Sequence, residues 1–174
     1  MDLSVLKISE IRSRQCLGQF RCGNRDIDIW ASDKALKLHQ QYRARVFCAR
    51  FSGNDSAIGF YSLSLSAMKT SVLPGQDRDK YKGGTAPLVY IDWLAVQKNA
   101  QSSGIGTILL MNAIARASSV SQHLPFYGLA LRSLNDETTK LYARLGFSLR
   151  ENSDFPIMIM PVWTILDLVK PSGM

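Results

Sequence analysis

The chain has 174 residues, 46% hydrophobic and 20% charged, a composition that excludes a disordered or fibrous protein and suits one globular domain of roughly 100–200 residues. Cys16, Cys22 and Cys48, without a C-x-x-C spacing and with two histidines in the chain, argue against a disulfide framework or a zinc site and for a reducing compartment. The net charge of +7 and a pI near 9.5 favour an anionic partner: nucleic acid, a phosphorylated cofactor or an acidic protein.

No apolar run approaches the roughly 18 residues that span a bilayer, and Met1 to Val5 lack the pattern of a signal peptide. The expectation is a cytoplasmic protein without a membrane partner. It is one domain over residues 1–170, with 171–174 as a tail. Leu3 to Ile8 reads as a first strand. Arg25 to Gln41 reads as a helix, with Ile27, Trp30, Ala31 and Leu38 at helical spacing behind the turn Cys22-Gly23-Asn24. Arg45 to Phe51 and Ala57 to Ser66 are strands joined by Ser52-Gly53-Asn54-Asp55, the second alternating with period two.

Met68 to Ala86, with Pro74, Gly75, Gly83 and Gly84, reads as a long loop, a kind of segment that often carries function. Leu88 to Val96 is a central strand and Ile105 to Ala117 an apolar helix. Phe126 to Leu131 is a strand, and Asn135 to Leu145 a helix capped by Asn135 and ended by Gly146. Phe147 to Arg150 and Met158 to Val169 read as closing strands. The order β-α-β-β-β-α-β-α-β-β gives an α/β fold with a mixed sheet.

The most informative segment is Gln101-Ser102-Ser103-Gly104-Ile105-Gly106-Thr107, between a strand and a helix. Two glycines let backbone N–H groups converge, and the open donors of the helix N-terminus point the same way, forming an anion nest. A Walker A loop is excluded because no lysine precedes Thr107. A Rossmann fingerprint would need glycine where Leu109 stands. An ordinary glycine-bearing loop before a helix is the plain alternative.

Gln101-x-x-Gly104-x-Gly106, after Leu94-Ala95-Val96, resembles the acyl-CoA-binding motif of the GNAT family of N-acetyltransferases. Leu141-Tyr142-Ala143-Arg144-Leu145-Gly146-Phe147, after Asn135, resembles that family's next motif. Phe20 to Trp30 (Phe-Arg-Cys-Gly-Asn-Arg-Asp-Ile-Asp-Ile-Trp) and Gly59-Phe60-Tyr61-Ser62-Leu63-Ser64 are similar to stretches of the GNAT toxins of bacterial toxin–antitoxin pairs, which acetylate aminoacyl-tRNA. The other reading of Phe20 and Trp30 is a helix entry packed in the core.

The resemblance implies a GNAT fold: a mixed, mostly antiparallel twisted sheet flanked by helices and splayed between its two central strands. It implies acetyl-CoA as co-substrate, no metal, and cofactor contacts at Leu94, Ala95, Val96, Gln101, Ser102, Ser103, Gly104, Ile105, Gly106, Thr107 and Asn135. A family β-bulge at Leu94 to Val96 would free backbone donors, so their contribution is main-chain. A homodimer and a ribbon-helix-helix antitoxin are implied partners.

Tyr142 is the candidate general acid for the CoA thiolate, since a phenol with pKa about 10 is protonated at neutral pH. His39 and His123 lie beside no motif and read as structural or surface residues. Asp92, two residues before Leu94, reads equally as a proton acceptor or a satisfied carboxylate. An α-amine with pKa about 8 is partly neutral near pH 7 and needs no strong base. Lys34, Lys37, Arg43 and Arg45, with Arg78, Lys80 and Lys82 in the long loop, are candidates to hold tRNA phosphates; a solvated basic face is the other reading. Tyr81 is a candidate to stack on a base. The expected activity is transfer of acetyl from acetyl-CoA to the α-amine of aminoacyl-tRNA, blocking translation. The alternatives are a GNAT acting on a small-molecule or protein amine, and a non-catalytic CoA-fold binding module.

Overall fold

The computed structural model describes residues 3–81, 83–151 and 156–170, apart from the side chain of Glu151. Among the described residues, seven strands form one sheet in the order β1-β2-β3-β4-β5-β7-β6. They are β1 (Leu6–Glu10), β2 (Arg45–Phe51), β3 (Gly59–Lys69), β4 (Thr85–Val96), β5 (Gly128–Arg132), β6 (Ser148–Glu151) and β7 (Ile157–Pro161). The pairs β1–β2, β2–β3, β5–β7 and β6–β7 are antiparallel, and β4–β5 is parallel. This is the mixed sheet that the alternation of elements predicts.

The helices are α1 (Gln15–Gly18), α2 (Arg25–Asp33), α3 (Ala35–Gln40), α4 (Gly75–Arg78), α5 (Ile105–Ser121), α6 (Asp136–Arg144) and α7 (Val162–Val169). The chain divides into two compact units, Met1–Ser64 with Asp92–Ala113 and Leu65–Ile91 with Ile114–Met174. In the first, α1, α2 and α3 bury Leu17, Ile27, Trp30, Ala31 and Ala35 against Val46, Cys48, Phe60 and Ala95. Trp30 stacks on Phe60 at 5.8 Å, and Phe20 meets Phe60 edge-on at 5.0 Å. In the second, Met68, Leu73, Leu88, Tyr127, Ala130 and Ile159 form the core.

Four boundaries differ from the sequence reading. Leu3–Val5 is a 3-10 turn, and the first strand begins at Leu6. The helix read over Arg25 to Gln41 breaks at Lys34. The break lets α3 turn His39 inward, where its Nδ1 accepts a hydrogen bond from the Val46 N–H at 3.1 Å.

The long loop is shorter than read, because β3 runs on to Lys69 and β4 starts at Thr85. Between them Leu73 is buried in the core, and the carboxylate of buried Asp77 accepts from the Tyr127 hydroxyl at 2.9 Å and pairs with Lys80 at 3.1 Å. The closing strand read over Met158 to Val169 stops at Pro161, and α7 follows. Proline lacks an N–H to continue the ladder and suits a helix start. Ile165 then faces inward.

α5 lies close on β3 because position 59 has no side chain. A Cβ there would stand 2.9 Å from Leu109 Cδ1, 3.2 Å from the Ala95 carbonyl oxygen and 3.3 Å from Ile105 Cγ2. Gly59→Val should therefore destabilise the protein by about 1–3 kcal/mol through overpacking, read as a lowered denaturation midpoint at unchanged slope. An unchanged midpoint would show that α5 can retreat freely.

Candidate active site

In the first unit, the turn Lys98–Ala100 leads from β4 to Gln101. Ser102 and Gly104 then take left-handed backbone angles, φ +61° and +88°, and α5 begins at Ile105. Gly104 meets no steric penalty there, whereas Ser102 carries a Cβ in a region that costs most residues about 1 kcal/mol or more. A non-glycine residue held this way is a mark of a built loop. The Ile108 N–H closes the first helical bond to the Gly104 carbonyl at 3.1 Å, so the amides of Ile105, Gly106 and Thr107 have no intrahelical acceptor. The 17-residue α5 adds its positive dipole end.

The loop's side chains serve mainly to hold its shape. Gln101 Nε2 donates to the carbonyls of Cys22 (2.8 Å) and Val96 (3.1 Å), and Ser103 Oγ donates to the Ala100 carbonyl. Ile105 is buried, while Ser102 and Thr107 are exposed. A Cβ on Gly106 would come within 4 Å of Val96 Cγ2 alone, at 3.8 Å, and one on Gly104 would meet Leu3 Cδ1 at 4.0 Å. The protein leaves that space open, and the converging amides suit a diphosphate.

Beside the loop, β4 ends at Leu94, Ala95 and Val96. Ala95 is buried in the core, while Leu94 and Val96 are half-buried, as period two requires. The parallel register with β5 runs from Leu88↔Gly128 to Ile91↔Leu131, and β4 continues through Asp92–Val96. Asp92 accepts from the Ser64 hydroxyl at 2.9 Å. Its pKa is raised by desolvation, with the Ser64 hydrogen bond acting the other way. The sequence reading missed Ser64 as Asp92's partner, because they are neighbours only across strands.

In the second unit, Asn135 caps α6 in a reciprocal capping box with Thr138, its Oδ1 accepting from the Thr138 N–H at 2.9 Å. That oxygen is engaged, so the side-chain group left for a ligand is the Nδ2 amide. Tyr142 is half-buried, 6.0 Å from Phe147 ring to ring. Desolvation pushes its pKa up, which keeps the phenol a donor at neutral pH.

The first unit thus offers a helix start whose open amides suit an anion, and the second a half-buried phenol on a capped helix. The model of the acetyltransferase (GNAT) family matches residues 33–147. The chain belongs to the GNAT family. The tRNA-acetylating toxin of Mycobacterium tuberculosis is 25% identical over 141 residues, covering 81% of this chain and 83% of that protein. Among solved structures, AtaT complexed with acetyl-methionyl-tRNAfMet matches with a TM-score of 0.84 at 22% identity, over 94% of this chain and 98% of that one. A mutant AtaT toxin bound to the C-terminus of the antitoxin AtaR and acetyl-CoA matches at 0.78 and 19%, over 96% and 99%.

The GNAT domain's basic candidates divide by surroundings. Lys34, Lys37 and Arg43 are exposed. Arg45 pairs with Glu10 at 2.6 Å and lies 5.7 Å from the Tyr42 ring centroid. Arg78 donates to the carbonyls of Ser71 and Leu73. Lys80 joins Asp77 and lies 4.5 Å over the Trp163 ring. Lys82 lies outside the described residues. Tyr81 is half-buried and edge-on to Tyr127 at 5.5 Å, so part of its ring already has a partner within the protein. His39 is buried, with its pKa lowered by burial first and then by Arg45.

Phe20 and Trp30 are core residues, which agrees with the packing reading of that stretch, while Asn24 caps α2 by accepting from the N–H groups of Asp26 and Ile27. Among the described residues, no helix is long and apolar enough to cross a membrane, and no group of three His, Cys, Asp or Glu residues could hold a metal ion.

Proposed function

We propose that this GNAT enzyme transfers the acetyl group of acetyl-CoA to the α-amine of aminoacyl-tRNA, as a toxin that blocks translation. The observation that carries the acetyl-CoA half is the loop Gln101–Thr107, with left-handed Ser102 and Gly104 opening α5. The tRNA-acetylating relative supports the acceptor half. Acetyl-CoA supplies the acyl group already activated as a thioester.

The amides of Ser102 to Thr107 hold its diphosphate, and main-chain groups of Leu94, Ala95 and Val96 orient its pantetheine arm and polarise the carbonyl. An N–H fixed toward a developing oxyanion lowers such barriers by roughly 3–4 kcal/mol. Asn135 contributes its Nδ2 amide. The free amine attacks the carbonyl carbon, the C–S bond breaks, and the Tyr142 hydroxyl donates to the departing sulfur. A thiolate of conjugate pKa about 8.5 does not strip a phenol above 10 completely, so the hydroxyl acts through a strong hydrogen bond. An α-amine with pKa near 8 delivers its own neutral fraction, with Asp92 beside it as a carboxylate able to take the released proton.

Exposed Lys34, Lys37 and Arg43 are the first candidates for tRNA phosphates; Arg45, Arg78 and Lys80 can join only while keeping or exchanging their present partners. The AtaT–AtaR complex supports an antitoxin partner here as well, which we take to be a ribbon-helix-helix repressor of a cytoplasmic homodimeric toxin. The family match, which draws on both compact units, supports reading residues 1–170 as one catalytic domain.

Incubation with labelled acetyl-CoA should place label on charged tRNA, as an acetylated α-amine, and none on uncharged tRNA. Equal labelling of both would overturn the reading. So would label on a polyamine or peptide in place of tRNA.

A further inference from the structure

The second unit holds a cavity of about 480 Å³, within the roughly 300–1,000 Å³ range of ligand sites. Its wall includes Met68, Lys69, Leu88, Tyr90, Arg132 and Ile157. Strand register explains why these meet. Tyr90 pairs with Ala130, Arg132 with Ile157, and Ala130 with Ile159, so period two sets Leu88, Tyr90, Arg132 and Ile157 on one face. Met68 and Leu88 make a buried apolar floor, Tyr90 is half-buried, and Lys69 and Arg132 are exposed. Among the described residues the lining contains two cations and no carboxylate, and Arg132 also interacts with a neighbour within the protein.

We infer that this cavity receives the 3′-terminal nucleotide of the acceptor RNA, its base against Tyr90 and the apolar floor, its 5′-phosphate clamped by Lys69 and Arg132. The inference rests on the aminoacyl-tRNA reading and assigns its acceptor end. A single unpaired nucleotide presents a flat π face and one phosphate, which an aromatic on an apolar floor beside two cations complements. A duplex is too broad for a concave site of this size. An acidic peptide would match the cations and leave the aromatic floor without a complementary face. The diphosphate of acetyl-CoA has its own cradle in Gln101–Thr107, none of whose residues lines this cavity. The composition signal was faint in sequence: Arg132 merely ends an apolar strand, and Lys69 precedes an irregular segment.

The test uses the intact enzyme with saturating acetyl-CoA and two probes, 3′-O-aminoacyl-adenosine and the same compound carrying a 5′-phosphate, with charged tRNA as reference. The wild type should favour the phosphorylated probe in kcat/KM by about tenfold or more, as charge-assisted hydrogen bonds to one phosphate allow. The double variant Lys69→Gln/Arg132→Gln should erase that preference, and Lys69→Arg/Arg132→Lys should keep most of it. For charged tRNA, the Gln variant should also flatten the dependence of log KM on log salt by about 0.7, one single-strand phosphate's share. Acetylation of charged tRNA with no preference between probes, or a preference that survives in the Gln variant, overturns the clamp alone. Failure to acetylate charged tRNA while acetyl-CoA binds overturns the aminoacyl-tRNA reading and the inference with it.

Discussion

Tyr142→Phe should lower kcat by about 10²–10⁴-fold while acetyl-CoA affinity stays near that of the wild type. The substitution removes one oxygen and keeps the ring beside Phe147, so the packing of α6 on its surroundings survives. The Tyr142 carbonyl, which accepts from the N–H groups of Leu145 and Phe147 at 3.1 Å, is untouched as well. Burial raises the phenol's pKa, so the wild type should keep this donor throughout the neutral range and lose it at higher pH than an ordinary tyrosine would. Single-turnover rates with bound acetyl-CoA separate chemistry from binding. Near-normal turnover of the variant with its physiological acceptor would reduce Tyr142 to a packing residue.

Gly104→Asp should abolish acetyl-CoA binding. In the wild type, acetyl-CoA at a hundredfold excess over its dissociation constant should stabilise the fold by about 2.7 kcal/mol; in the variant that gain should vanish. A carboxylate at this position faces the diphosphate with like charge, and its Cβ occupies the left-handed conformation at φ +88° that glycine adopts without penalty. Backbone strain alone could lower the variant's stability, so Gly106→Asp is the partner measurement. Position 106 lies within the helix, and a Cβ there meets only Val96 Cγ2 within 4 Å, so its effect reports the added charge. Retained affinity in both folded variants would show that the diphosphate binds elsewhere.

The parts of this molecule legible in its sequence are those controlled by neighbours along the chain. Asn135 announces the start of α6 and Gly146 its end because caps are local chemistry, and both stand where they were read. The loop Gln101–Thr107 is legible for the same reason: turn, glycines and helix start are consecutive. The misreadings arise where distant contacts decide. Val162–Val169 has the β-branched and apolar content of a strand, yet Pro161 ends the ladder and the segment coils. The break at Lys34 lets His39 reach Val46, a contact that spacing along the chain does not reveal. Charges mislead most, since a basic residue reads alike whether it faces solvent or, as with Arg45 and Glu10, already has a partner on another strand. The cavity around Tyr90 was invisible because four separate strands supply its wall.

Among the described residues, the segment between β3 and β4 is fastened by the Thr70 N–H on the Gly84 carbonyl, Leu73 in the core, Arg78 on two carbonyls, the Asp77 carboxylate on the Tyr127 hydroxyl and Lys80, and the contacts of Lys80 with Trp163 and Tyr81 with Tyr127. Ser71, Gln76 and Asp79 between these anchors are exposed. Such an arrangement separates what must stay from what can drift. Substitutions at the exposed positions leave the fasteners intact, so descendants of this sequence can change the segment's outward chemistry without a loss of folding. A directed-evolution library confined to positions 71, 76 and 79 would vary this surface on a scaffold that remains whole.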